Sequence, residues 1–345
     1  MVCRMADLDI PALANLLDAR ARESGMSGVV AVDVDGEPVL SGAYGMADRA
    51  HQIPNTIDTR FGMASASKAF TAAAVMSLVD DGTLRLDTAV RGILNDDLPL
   101  INDGVTVEHL LGHTSGIGDY LDEEGDWEAD DYVLTVPVHE LAETEAFLGA
   151  IDGFPQKFPP GERFSYCNGG YIVLAIVAER AGGMPFHDLV EARVFAPAGM
   201  SRTGYLRSDA LPGDVAIGYL DGEPESLRTN VLHLPVRGNG DGGAFTTAGD
   251  MSTFWRALVD GAIVSPERVT EMTRVQHRVD EEGMRYGRGL WRDLDGPGLM
   301  LVGYDAGVSA STRFDPENRL TVTMLSNTPE GVWTVAKVMR DTVGR

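Results

Sequence analysis

Residues 61–78 read FGMASASKAFTAAAVMSL, and they join a short strand to a long helix. The strand-like residues 59–63 come first, and residues 65–79 then repeat apolar side chains at helical spacing. Ser65 therefore lies at the start of the predicted helix, with Lys68 one turn later on the same face. A serine becomes nucleophilic when a neighbouring base takes its proton, and a lysine can be that base where an arginine cannot. The structural alternative is a serine N-cap followed by a surface lysine.

A second stretch with polar side chains, residues 160–168, reads PGERFSYCN and lies directly before a helical pattern. Its turn-forming residues predict a loop that projects Tyr166 and Asn168 into a cleft. A phenol beside a lysine can relay a proton, and a carboxamide can orient the lysine and hold a substrate amide. Taken alone, Tyr166 also fits a half-buried aromatic residue of the core.

The order of the remaining patterns predicts the fold. Apolar side chains at helical spacing occur in residues 10–22, 107–111, 140–151, 170–180 and 248–259. Strand patterns occur in residues 28–34, 39–45, 285–291, 299–304, 308–314 and 319–325, with turns at 35–36 and 315–318. A closing helix over 329–340 is predicted from Thr328 as its N-cap and Pro329 as its first residue.

This order favours an α+β fold of the α/β sandwich type. An antiparallel sheet from both chain ends is flanked by helices and carries an inserted, mostly helical lobe. We predict one catalytic domain over residues 1–345, with a sheet lobe of about 1–70 plus 243–345 and a helical lobe of about 71–242. A small-molecule site is expected in the cleft between the lobes.

Charge limits the classes of partner. Lys and Arg total 28 against 52 Asp and Glu, which gives a formal net charge of −24. Such a chain repels phosphate backbones and anionic lipid headgroups, so neither nucleic acid nor a membrane is an expected partner.

Two cysteines, Cys3 and Cys167, are too few for a disulfide framework. The first residues carry charges where a signal peptide needs an apolar run, and no run reaches the roughly 20 apolar residues of a membrane span. We therefore expect a cytoplasmic protein, unless the N-terminus has been trimmed.

The acidic residues 121–131, LDEEGDWEADD, form either a solvated loop or a cation site, and charge runs usually favour the first interpretation. The histidines show no metal-ligand spacing such as His-Glu-x-x-His. No metal and no cofactor are predicted.

Four segments in this order resemble the serine beta-lactamase and penicillin-binding-protein superfamily, in particular class C beta-lactamases, D-Ala-D-Ala carboxypeptidases and related esterases. They are FGMASASKAFTAAAVMSL at 61–78, VTVEHLLGHTSG at 105–116, PGERFSYCN at 160–168 and GDGGAFTTAGD at 240–250. The resemblance implies a beta-lactamase/transpeptidase-like fold. It assigns Ser65 and Lys68 to the Ser-x-x-Lys motif, and Tyr166 and Asn168 to the Tyr-x-Asn motif. His109 and His113 receive a structural role.

The third motif of that superfamily, Lys/His-x-Gly, is where the sequence departs. The register before Gly307-Val308 puts Leu301, Val302 and Gly303 at the motif, so that Leu301 replaces the cation or imidazole. The resemblance implies that the N–H groups of Ser65 and Tyr304 form an oxyanion hole, and that Gly303 allows substrate to approach the strand.

A missing cation weakens the expected binding of a substrate carboxylate. Arg292 and Arg313 are candidate substitutes, although each also fits a surface-facing strand residue.

The function expected from these residues is acyl transfer through Ser65 to water, with small esters or amides as substrates. An esterase is favoured over a beta-lactamase or a D-amino-acid peptidase. The alternative from another class is a catalytically idle member of the same fold that binds a ligand or partner in the cleft. The oligomeric state is left open.

Overall fold

A large antiparallel sheet forms the centre of the molecule in a computed structural model, which describes residues 9–124, 133–220, 222 and 226–343. In sheet order its eight strands within these residues are β2 (Glu37–Tyr44), β1 (Gly28–Val34), β12 (Leu320–Ser326), β11 (Val308–Asp315), β10 (Leu299–Asp305), β9 (Trp291–Asp293), β8 (Met284–Tyr286) and β7 (His277–Val279). Two further pairs are β3 (Met46–Asp48) with β4 (Ile53–Pro54), and β5 (Phe61–Gly62) with β6 (Phe245–Thr246).

The helices are α1 (Ile10–Glu23), α2 (Lys68–Asp80), α3 (Arg91–Leu94), α4 (Val107–Leu111), α5 (Leu148–Ile151), α6 (Asn168–Gly182), α7 (Phe186–Val190), α8 (Ala196–Ala198), α9 (Ala248–Val259), α10 (Pro266–Thr273) and α11 (Trp333–Val343). Short 3₁₀ turns cover Ala64–Ser67, Val138–Glu140 and Thr144–Phe147, and a π-helical turn over Glu191–Phe195 joins α7 to α8.

Apolar side chains cover both faces of the sheet. On one face, Leu17 of α1 and Val335 of α11 pack with Val322 of β12 in a small core. On the other face, Trp255 of α9 stacks on Phe314 of β11 with ring centroids 5.9 Å apart, within a larger core that extends into the helices. Strands that alternate between two buried faces need helices on both sides. The predicted α+β fold, with a sheet drawn from both chain ends, is confirmed.

The predicted strand over residues 285–291 is instead the end of β8, a turn, and the start of β9. Gly287 and Gly289 allow the turn: a Cβ on Gly287 would overlap the carbonyl oxygen of Met272, and one on Gly289 would overlap the side chain of Ala72. Glycine is thus required there by close packing against α10 and α2, which the strand-like pattern of the sequence does not reveal.

The closing helix begins at Trp333, not at Pro329. Thr328 is held in a turn, because its carbonyl accepts a hydrogen bond from the Ser309 hydroxyl at 2.7 Å and its N–H donates to the Ser326 hydroxyl at 3.2 Å. These tertiary hydrogen bonds replace the predicted N-cap. The predicted helix over 140–151 is likewise broken into short turns before α5.

None of the helices in the described part of the chain is long and apolar enough to cross a membrane.

Candidate active site

Ser65 lies in the 3₁₀ turn Ala64–Ser67, which leads directly into α2. Ala64 has φ +46°, a left-handed conformation that costs energy for a residue with a Cβ and that is concentrated at functional sites. The side chain of Ser65 is partly exposed, while almost every residue of the first three turns of α2 is buried. The turn therefore presents one hydroxyl at the end of a helix that is otherwise part of the core.

The residues around Ala244 hold this turn in place. The N–H of Met63 donates to the carbonyl of Ala244 at 2.9 Å, and the N–H of Ala244 donates to the hydroxyl of Ser67 at 3.1 Å. One turn further along α2, the hydroxyl of Thr71 donates to the carbonyl of Gly240 at 2.7 Å. Residues 240–246 thus clamp the start of α2, which explains why the GDGGAFT stretch accompanies the Ser-x-x-Lys pattern.

Lys68 is 2% exposed, and its ammonium nitrogen has three oxygen neighbours. Nζ lies 2.9 Å from Ser65 Oγ, 2.7 Å from Asn168 Oδ1 and 2.6 Å from the carbonyl oxygen of Asp241. Two of these neighbours can only accept hydrogen bonds, whereas the serine hydroxyl can also donate. In the neutral amine, the two N–H bonds are therefore directed to Asn168 and Asp241, and the lone pair faces the proton of Ser65.

Asp119 fixes Asn168 at the start of α6. Its carboxylate accepts the N–H of Asn168 at 2.6 Å and the N–H of Gly169 at 2.8 Å. Burial raises the pKa of Asp119 to about 6, although these backbone hydrogen bonds favour its charged form. Sequence reasoning missed Asp119; its only signal is an acidic residue shortly after the HTSG stretch.

His113 supports the same segment from below. Its Nδ1 accepts the N–H of Cys167 at 3.1 Å, so in this tautomer the ring is neutral, and burial lowers its pKa well below the usual value. Its ring lies 4.3 Å from the ring of Tyr166, centroid to centroid. His109 instead forms a capping box with Thr106 at the start of α4. Both histidines therefore contact protein groups, as expected for structural residues.

Tyr166 sits between aromatic rings and Lys68. Its ring stacks on Trp291 with centroids 6.2 Å apart, and Lys68 Nζ lies 4.9 Å from its centroid. Burial, followed by the negative charge of Glu123, raises the pKa of the phenol well above its usual value, while a hydrogen bond with Ser65 works in the opposite sense. The phenol is thus held protonated next to the Ser65 hydroxyl, where it can donate.

Gly303 and Tyr304 lie on β10, which passes beside the Ser65 turn. A Cβ on Gly303 would overlap the carbonyl oxygen of Met63 and lie 2.9 Å from the N–H nitrogen of Ala66. The close approach that requires glycine here is therefore that of the nucleophile turn itself, and not that of substrate. Tyr304, the next residue, lines the cavity together with Ser65.

Leu301 does not lie in the cleft. Its side chain is 2% exposed and belongs to the large core, because alternate residues of β10 point to opposite faces. The two arginines considered as substitutes are also engaged elsewhere: Arg292 donates to the carbonyl of Thr273, and Arg313 forms a buried ion pair with Asp293. The cation of the third motif is thus missing, but Leu301 does not occupy its place in the cleft.

A cavity of about 520 Å³ opens beside Ser65, within the range of small-molecule sites. Ser65, Asn168 and Tyr304 line it, whereas Lys68, Tyr166 and Gly303 lie behind its surface. Much of the wall is apolar, with contributions from Leu206, Leu211, Val215, Ile217, Val231 and Leu234.

The polar part of the cavity wall is acidic. Asp48, Glu123, Asp241 and Asp305 line it, and no Lys, Arg or His is among the described residues that do so. The internal residues outside the described ranges, 125–132, 221 and 223–225, contain no basic residue in the sequence. Sequence reasoning missed this feature, because the four acidic residues come from separate segments.

The acidic residues 121–131 lie only partly in the described chain. Within 121–124, Glu124 pairs with Lys157 and Arg163, and Glu123 accepts a hydrogen bond from Asn168 at 2.7 Å. This part is therefore tied to the site and is not simply a solvated loop. In the described residues no group of three or more His, Cys, Asp or Glu is arranged to hold a metal ion. Cys167 is buried and unpaired, and Cys3 lies outside the described residues.

Known proteins with similar sequence were identified for most of the chain. A family model described as Beta-lactamase matches residues 13–338. A D-aminopeptidase of Brucella anthropi is 32% identical over 79% of this chain and 46% of its own length. Esterase EstB of Burkholderia gladioli is 35% identical over 64% of this chain and 58% of its own length. The chain thus spans about half the length of these curated relatives.

Solved structures agree with the sequence matches. A penicillin-binding protein from Bacillus halodurans superimposes with a TM-score of 0.87 and 37% identity, covering 94% of this chain and 99% of its own.

Proposed function

Because the chain belongs to the beta-lactamase family, within the serine beta-lactamase and penicillin-binding-protein superfamily, we propose that it is a hydrolase that forms an acyl-enzyme on Ser65 and acts on small esters or amides. The observation that carries the proposal is the position of Lys68 Nζ, 2.9 Å from Ser65 Oγ, with two carbonyl oxygens taking its other hydrogen bonds. This geometry orients a base towards the nucleophile.

In the acylation step, Ser65 Oγ attacks the substrate carbonyl carbon as its proton passes to Lys68. The N–H groups of Ser65 and Tyr304 stabilise the oxyanion, where two fixed donors contribute several kcal/mol, roughly 3 each. Tyr166 then protonates the leaving oxygen or nitrogen and regains a proton from Lys68 as the carbonyl bond to the leaving group breaks. Water hydrolyses the resulting ester on Ser65 by the same proton path, which releases the acid and restores the hydroxyl.

The substrate class favours neutral esters over penicillins and cephalosporins. Both antibiotics carry a carboxylate, and the described residues that line the cavity offer four carboxylates and no cation. An unpaired carboxylate brought into such a site loses its hydration without gaining a partner, at a cost of about 1–3 kcal/mol or more. We therefore expect a lower kcat/KM for nitrocefin than for p-nitrophenyl acetate. The reverse order would show that a cation outside this lining serves the carboxylate.

Labelling by an alkyl fluorophosphonate tests the nucleophile directly. We expect rapid labelling of the native protein at Ser65, and neither labelling nor turnover of p-nitrophenyl acetate by Ser65→Ala. The matched control is Ser41→Ala, which removes an exposed hydroxyl from the edge strand β2 and should react like the native protein. A folded native protein without labelling at Ser65 would overturn the proposal in favour of a catalytically idle, ligand-binding member of the fold.

A further inference from the structure

Three carboxylates of the cavity meet beside the proposed nucleophile, and we call them the acidic wall: Glu123, Asp241 and Asp305. The backbone of Asp241 accepts a hydrogen bond from Lys68, and Asp305 directly follows Tyr304. The three groups share one electrostatic environment. Burial raises the pKa of Asp305 to about 7, and the charges of Asp241 and Glu123 contribute to that rise.

The partners of the acidic wall are neutral. Asp241 accepts a hydrogen bond from the Tyr120 hydroxyl, Glu123 from the Asn168 amide, and Asp305 from the Ala306 N–H. No ion pair to these three carboxylates is formed by a basic side chain in the part of the chain that the structure describes. Carboxylates that lack a counter-charge in a partly dehydrated cleft are unfavourable unless a ligand supplies one.

Elsewhere in the described chain, acidic residues of similar or greater burial do have cationic partners. Asp293 forms a buried ion pair with Arg313, and Asp214 contacts both Arg60 and Arg202. The contrast indicates that the acidic wall is complementary to a positive charge that the protein does not provide.

The cavity determines which part of the substrate carries that charge. Tyr166, the proposed donor to the leaving group, does not line the cavity, and neither does Trp291, on which it stacks. The leaving group therefore faces Tyr166, and the acyl group extends into the cavity. We infer that the cleft selects acyl groups that carry an ammonium close to the reacting carbonyl, with an apolar remainder against the leucine and valine side chains of the wall. The inference names the substrate class of the proposed hydrolase and therefore rests on that function.

Three methyl esters with one carbon skeleton test the inference. They are leucine methyl ester in both enantiomers, methyl 4-methylpentanoate, and methyl hydrogen isobutylmalonate, which carry an ammonium, a hydrogen and a carboxylate on the same carbon. At about pH 7.5 an α-amino group is still partly protonated. We expect kcat/KM to fall in the order ammonium, neutral, carboxylate, with at least one leucine enantiomer about tenfold above the neutral ester.

Asp305→Asn should reduce the ammonium-to-neutral ratio of kcat/KM about tenfold, because it removes one charge of the wall and keeps its shape. The matched control is Asp295→Asn, which removes the same charge from an exposed turn at the opposite end of β10 and should leave the ratio unchanged. A neutral ester that is hydrolysed as well as both leucine esters, with Ser65 still labelled, would overturn the inference and leave the hydrolase intact. Absence of Ser65 labelling would instead overturn the proposed function.

Protection of Ser65 gives a second readout that needs no turnover. The rate of fluorophosphonate labelling is measured with 3-methylbutylammonium, 3-methylbutanol or 3-methylbutanoate present. We expect the cation to protect at about tenfold lower concentration than the alcohol, the carboxylate to protect least, and Asp305→Asn to remove the advantage of the cation. Equal protection by cation and alcohol would contradict the inference even if all three methyl esters are poor substrates.

Discussion

The cleft has two walls that differ in how their polar groups are satisfied. In the catalytic wall, formed by Ser65, Lys68, Tyr166 and Asn168, the Lys68 ammonium contacts three oxygens of the protein, and Asn168 is tied to the backbone and to Glu123. In the acidic wall, the carboxylate of Asp305 receives its hydrogen bond from a neutral N–H, and its charge faces other carboxylates.

This difference shows which parts of the site are complete without substrate. A network in which every donor has an acceptor is rigid and holds the reacting groups in position before substrate arrives. A wall of like charges gains its partner only when a ligand binds, so it stabilises the complex more than the free protein. The catalytic wall thus sets the chemistry, and the acidic wall sets which acyl groups reach it.

Lys68→Arg breaks the catalytic wall most severely. It keeps the positive charge but removes the titratable base, and the longer side chain cannot reproduce three hydrogen bonds within 2.6–2.9 Å in a site that is 2% exposed. We expect kcat/KM for p-nitrophenyl acetate to fall about 10²- to 10⁴-fold. Lys337→Arg on the exposed face of α11 is the matched control and should keep the native rate. A native rate for Lys68→Arg would mean that position 68 acts only as a cation.

Gly303→Ala tests whether β10 holds the nucleophile turn. A Cβ there overlaps the backbone of Met63, so the turn that carries Ser65 must move. Overpacking of this kind costs about 1–3 kcal/mol of stability, and a shift of the nucleophile by about 1 Å can reduce the rate about 10²-fold.

The control for this change is Gly92→Ala in α3, where a Cβ has nothing within 4 Å. It should leave the rate and the free energy of unfolding close to native values. If Gly303→Ala also retained native activity and stability, the contact between β10 and the turn would be too loose to position Ser65.

The positions of Ser65 and Lys68 could be predicted from the sequence because three residues on a helix fix their relative direction. Strand β10 was harder. Its residues alternate between two faces, and which face meets the core depends on α9 and on the neighbouring strand, so the burial of Leu301 is not visible in the local pattern.

The acidic wall could not be predicted because its members are far apart in the chain. Glu123 follows the HTSG stretch, Asp241 lies before α9, and Asp305 ends β10. Each is unremarkable among 52 acidic residues, and only the folded chain brings them to one cavity. Likewise, the sequence gives no sign that Gly287 and Gly289 pack against α10 and α2 and so divide the predicted strand into β8 and β9.

Asp305→Asn should make the free protein more stable, which is the smallest effect expected here and the one that separates the two walls energetically. The pKa of Asp305 is raised to about 7, first by burial and then by the charges of Asp241 and Glu123, with Lys68 and the Ala306 N–H acting in the opposite sense. In the unfolded chain an aspartate ionises near pH 3.9. Between these two values the folded state holds a proton that the unfolded state has lost, so the free energy of unfolding falls as the pH rises, and the penalty is complete above about pH 7.

Because the side chain keeps some exposure, we expect Asp305→Asn to raise the free energy of unfolding by about 1–3 kcal/mol at pH 8. The gain should be smaller at pH 5, where Asp305 is largely protonated in the folded protein. Urea unfolding of the native protein, Asp305→Asn and Asp295→Asn at both pH values provides the measurement, and the Asp295 variant should show no such pH-dependent gain. Equal stability of native protein and Asp305→Asn at pH 8 would mean that the acidic wall is already stabilised within the free protein, and the wall would then have no unmet charge for a substrate to satisfy.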